Sequence, residues 1–156
     1  MTRFFHWLHK LLLIKEIIAQ NGEVHFRRYR LLSTPWLCIY VHRIMVSDYE
    51  KHMHSHPRAF SSLILRGAYQ EDTTYSPDQY DIHSHIYKAG DIVSHSSKDF
   101  HHLTLLTKEV WSLFFSYGKR KDWGYLLNEN EWVQHQDYRD LKHQNQDFSL
   151  RAKPIE

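Results

Sequence analysis

Apolar and polar residues alternate over most of this chain with the short period of β-strands. Glu23 to Leu32 alternates well enough for a strand, and Trp36 to Met45 does so more strongly, with Ile39, Val41 and Ile44. Phe60 to Leu65 is a short apolar run that stops at Gly67, and Ala68 to Tyr75 follows it. Ile82 to Lys88, Ile92-Val93, Leu103 to Leu106 and Val110 to Tyr117 read as further strands. Turn chemistry separates them at Ser47-Asp48, Ser76-Pro77-Asp78 and Ala89-Gly90-Asp91. Short strands with turns at close spacing predict an all-β sandwich or barrel.

The two ends have a different texture. Phe4, Trp7, Leu8, Leu11, Ile14 and Ile18 recur at helical spacing, and Asn21-Gly22 supplies a stop. This predicts an N-terminal amphipathic α-helix within residues 1–22. From Gln134 the chain is polar, with Tyr138, Leu141, Phe148, Leu150 and Ile155 as its larger apolar groups. Residues 134–156 are expected to form a loosely held tail with at most one short helix, leaving 23–133 for the barrel.

Composition narrows the function classes. The formal net charge of 156 residues is only +2 and no basic stripe is visible, so no nucleic-acid partner is expected. The N-terminal apolar stretch is broken by His6, His9, Lys10, Lys15 and Glu16, which excludes a membrane span, and no secretory cleavage site follows it. The single cysteine, Cys38, lies in an apolar run and is expected to be a buried, inert thiol. A cysteine-poor chain fits the cytoplasm. The aromatic stripe of the N-terminal helix suggests a homodimer. Aromatic residues reach 15%, which suits the walls of a small-molecule pocket, and fourteen histidines raise the question of a metal.

The histidines are patterned. In His52-Met53-His54-Ser55-His56-Pro57, His54 and His56 are two apart, so on a strand they point to one side. A second donor follows the tight turn Gly90-Asp91 at His101-His102. His83-Ser84-His85 repeats the spacing beside acidic residues and reads as an exposed strand face. Lys119-Arg120-Lys121 reads as a solvated turn. Arg58 shares the strand parity of His56, which suits either a surface ion pair or a grip on an anionic group. Tyr69 and Gln70 are candidates for pocket lining.

These motifs, in this order, resemble those of the cupin superfamily: His54, His56 and Gly67 in the first, and Gly90, Asp91 and His101 in the second. His54 to Tyr69, with Trp123-Gly124-Tyr125 beyond, is similar to a group of small cupins. The resemblance covers roughly Leu31 to Trp132. It implies a double-stranded β-helix (jelly-roll) barrel and a divalent metal held by His54, His56 and His101. Two departures stand out. Phe60 occupies the usual place of a ligand glutamate, and Ser94-His95-Ser96-Ser97 replaces a proline-containing turn. A fourth ligand is then expected from His95, His52 or water. Three imidazoles with open positions suit Fe, Zn, Mn or Ni, and the affinity order does not choose among them. An enzyme of oxygenase type acting on a small polar molecule, a non-catalytic ligand-binding module and a structural subunit all stay open at this point.

Overall fold

The computed structural model describes residues 12–18, 22–48, 52–75, 81–128, 131–143 and 153–154. Two antiparallel sheets face each other. The first contains β1 (Leu13–Ile18), β2 (Val24–Ser33), β3 (Leu37–Ile44), β5 (Ala59–Arg66), β8 (Ile92–His95) and β10 (Val110–Tyr117), ordered β1-β2-β3-β10-β5-β8. The second contains β4 (Met53–His54), β6 (Ala68–Thr74), β7 (His83–Lys88), β9 (Phe100–Leu105), β11 (Gly124–Asn128), β12 (Glu131–Gln134) and β13 (Lys153–Pro154), ordered β13-β12-β11-β4-β9-β6-β7. One helix, α1 (His135–His143), follows β12.

The inward faces follow the two-residue period of a pleated strand. In β5 Phe60, Ser62 and Ile64 are buried, in β6 Tyr69, Glu71 and Thr73, and in β10 Val110, Ser112 and Phe114. Ile64, Tyr69, Leu103 and Val110 pack into one core cluster between the sheets. Gly67, between β5 and β6, has φ +87°, and a Cβ there would lie 2.3 Å from the Glu109 carbonyl oxygen. The turn after the first histidine motif therefore requires glycine.

The expected N-terminal helix is corrected over its last residues. Leu13–Ile18 is a strand, paired antiparallel with β2 so that Glu16 faces Arg27 and Ile17 faces Phe26. Residues 4–11 lie outside the described residues. The run Leu13-Ile14-Lys15-Glu16-Ile17-Ile18 fits either period over so short a length. The free edge of β2, with unpaired backbone groups, decides the matter, and isoleucines suit the strand.

At the polar C-terminal end, one short helix is described. Gln134 closes β12, and α1 docks through Tyr138, which is buried with Val133. Tyr138 stacks on Tyr125 at 3.9 Å, and His135 stacks on Trp123 at 4.0 Å. Gly124 between those rings lets the chain approach β12, since a Cβ would meet the Val133 carbonyl at 2.0 Å. Among the described residues, no helix is long and apolar enough to cross a membrane.

Candidate metal centre

β4 is only two residues long, yet it places the first histidine motif. It pairs with β9 so that His54 and His101 are directly opposite, and with β11 through Tyr125. Ser55 fixes the strand exit: its backbone N–H donates to the Gly124 carbonyl at 2.9 Å, and its hydroxyl accepts from the Gly124 N–H at 3.1 Å. With the strand so held, the ligand atoms of His54, His56 and His101 lie within 4.8 Å of one another. The Nε2 atoms of His56 and His101 are 2.8 Å apart. Two nitrogens bound 2.0–2.1 Å from one ion at a right angle would be about 3 Å apart, so this spacing fits a shared cation.

The protonation states suit ligation. Burial, reinforced by the neighbouring His101, lowers the His54 pKa to about 4. Burial, followed by the charges of His101 and His54, also holds His56 well below its ordinary value. Both rings are therefore neutral near pH 7, as metal donors must be. Asp48 Oδ2 lies 3.8 Å from His54 Nδ1, which leaves Nε2 available on that ring.

Behind His101 stands Glu71, the buried residue that sequence reasoning missed. The Nδ1–H of His101 donates to Glu71 Oε1 at 2.5 Å, which fixes the tautomer and turns Nε2 toward His56. Burial opposes ionisation of Glu71, but His101 and His95 outweigh it and lower the pKa to about 2. His95 Nε2 is 3.1 Å from Glu71 Oε2, and His95 Nδ1 is 3.5 Å from Asp99 Oδ2. Burial disfavours the charged His95 ring, yet the Asp99 and Glu71 carboxylates prevail and raise its pKa to about 9. Glu71, His95 and His101 form a second cluster with ligand atoms within 4.8 Å. This cluster uses the other side of the His101 ring. A charged His95 paired to a carboxylate is also a poor metal donor.

The remaining candidates divide clearly. Phe60 is buried against the histidines, with its ring 4.7 Å from that of His56 and 5.6 Å from that of His101. His95 lies beside Glu71, away from the His54–His56 side of His101. His52 turns away, with Nδ1 3.0 Å from the Tyr138 hydroxyl. Arg58 lines the same cavity as His54 and His56. Tyr69 sits in the core cluster instead, and Gln70, on the opposite face of β6 from Glu71, donates to Asp72 at 3.0 Å. His83 and His85 are exposed and join neither cluster.

Cys38 departs from expectation as well. It is half-buried and lines the cavity. Burial alone would raise its pKa, but the Tyr40 and Ser33 hydroxyls, the Thr34 backbone and the Arg58 charge together lower it. The strand that looked uniformly apolar borders the cavity on this face.

No protein-family model matches the sequence, and no curated protein is significantly similar to it. Solved structures do share the fold. The DMSP lyase DddQ from Ruegeria pomeroyi DSS-3 aligns with a TM-score of 0.56 at 18% identity, covering 73% of this chain and 60% of that one. FeII HppE aligns with a TM-score of 0.53 at 12% identity, covering 66% of this chain and 55% of that one. Fe(II)-HppE with the alternative substrate (S)-1-HPP gives 0.52 at 12% identity, covering 67% and 55%. The chain thus spans little more than half the length of these proteins. Two facing antiparallel sheets, with His54 on one strand opposite His101 on the next, agree with that likeness: this chain has the two-sheet β fold that these solved structures share.

Proposed function

We propose that His54, His56 and His101 hold one divalent metal ion and that the protein is a metal-dependent enzyme acting on a small polar molecule in the adjoining cavity. The observation that carries this reading is the 2.8 Å approach of the His56 and His101 Nε2 atoms within a three-nitrogen cluster in which burial keeps His54 and His56 neutral. A similar fold holds iron in the structure described as FeII HppE, which supports a metal here without naming it. Fe, Zn, Mn and Ni all accept such a donor set.

Each residue has a definite task in this reading. The three rings supply nitrogens on one face of the site, and among the described residues no carboxylate belongs to that cluster. Glu71 orients His101 and increases its basicity. Phe60 packs its buried ring against His56 and His101 and gives that side an apolar face. The bound ion would act as a Lewis acid toward an oxygen atom of the substrate at its open positions.

Metal content tests the reading. Protein purified without an affinity tag should carry about one divalent ion per chain. His54→Ala, His56→Ala and His101→Ala should each lose most of it, because two protein donors hold such an ion poorly against water. His83→Ala should keep it. Equal metal in all four variants would overturn the assignment.

A further inference from the structure

The cavity that His54 and His56 border has a volume of about 1060 Å³ and is lined elsewhere by the cations Lys15, Arg28, Arg58 and Arg120. Asp48 is the carboxylate among its described lining residues, and it already accepts a hydrogen bond from the Leu103 N–H at 2.8 Å. The two innermost cations have no acidic partner among the described residues. Arg28 gives its Nε–H to a neutral acceptor, His42 Nε2, at 2.9 Å. Its guanidinium lies 4.9 Å from the Tyr40 ring centroid and 5.5 Å from that of Phe26. Arg58 has a buried Nη1 with no hydrogen-bond partner among the described residues. Burial lowers the Arg28 pKa, although Tyr40 and Cys38 oppose it, so this charge is held at a cost. Buried cations are normally paired, because an uncompensated charge loses its hydration without return. Two guanidiniums in one cavity, neither with a carboxylate partner among the described residues, therefore leave the position of an anion open.

We infer that this cavity binds a small organic oxyanion, a carboxylate or a phosphonate, held by Arg58 and Arg28, with the rest of the molecule directed toward His54 and His56. Guanidinium forks match the oxygens of both headgroups, whereas ammonium groups bind as point charges. The aromatic faces of Tyr40 and Phe114 supply an apolar wall for the body of the ligand. Binding of the anion depends on the arginines alone. Its role as a substrate rests on the metal reading above.

The test is calorimetric titration of metal-free and metal-loaded protein with succinate, with methylphosphonate and with neutral succinamide. At least one anion should bind both forms, more weakly as salt rises, and succinamide should not bind. Arg58→Met and Arg28→Met should each weaken binding by at least about 10-fold, as loss of a charged hydrogen bond does. Arg58→Lys keeps the charge but loses the fork, and should also weaken binding. Lys119→Met, on the exposed turn, should leave it unchanged. Thermal melts separate lost binding from lost fold, and Arg58→Lys covers the case in which Arg28→Met does not fold. Anion binding without metal uptake would retain this inference and remove the metal reading. Failure of both anions, or full affinity in both methionine variants, would overturn the inference even if metal binds.

Discussion

Glu71 shows how one buried carboxylate organises the site. Its Oε1 takes the His101 Nδ1–H, and without it that ring could turn or change tautomer. Glu71→Gln keeps the size of the side chain but removes the charge. It should reduce metal affinity by about 10- to 100-fold, the usual effect of losing such a partner, while His101→Ala should cost more. A metal-competition assay with a chromophoric chelator checks this, and unchanged affinity would remove Glu71 from the account. The three histidines were legible in the sequence because a spacing of two on a strand is geometry. Glu71 was not, because Gln70-Glu71-Asp72 is a polar run in which only parity with Tyr69 and Thr73 marks one member as inward-facing. Phe60, at the usual place of a ligand glutamate, packs its ring against His56 and His101. The carboxylate present stands instead on the next strand and touches a ligand ring rather than the ion's side of the site.

At the scale of elements, the site depends on turns that put short strands in register. Gly67 links β5 to β6, and so ties the strand of Phe60 to the strand of Glu71. Gly67→Ala would force a positive φ on a residue with a Cβ and push that Cβ into the Glu109 carbonyl. It should destabilise the protein by about 1–3 kcal/mol, read as a lower midpoint in urea with the slope unchanged. A variant as stable as the parent would show that the turn relaxes at no cost. The turn glycines and most strands were readable from composition and period. The N-terminal element was not, since Leu13–Ile18 satisfies two periods and only the edge of β2 selects one. The docking of the short helix α1 was not readable for a related reason. Its few apolar residues look insufficient until Tyr138 is seen stacked on Tyr125.

For the whole molecule, buried histidines couple stability to pH. His42 is buried on the first sheet, against Phe26 and Phe114 of the flanking strands. Burial, then the charges of Arg28 and Lys15, hold its pKa well below the ordinary value. The unfolded chain takes up a proton at this ring below about pH 6.5, and the folded chain does not. Stability is therefore full above that pH and falls as the solution is acidified, by at most about 1.4 kcal/mol per pH unit from this group. His42→Phe should flatten the fall measured by denaturant titration between pH 7 and 5, and an unchanged slope would contradict the assignment. At the same scale, the account makes one central claim, that a divalent ion sits among His54, His56 and His101. Anomalous X-ray diffraction from crystals soaked in Co(II) tests it most directly. The account predicts one peak about 2.1 Å from a nitrogen of each of the three rings. A peak between Glu71 and His95, or none near His54 and His56, would contradict it.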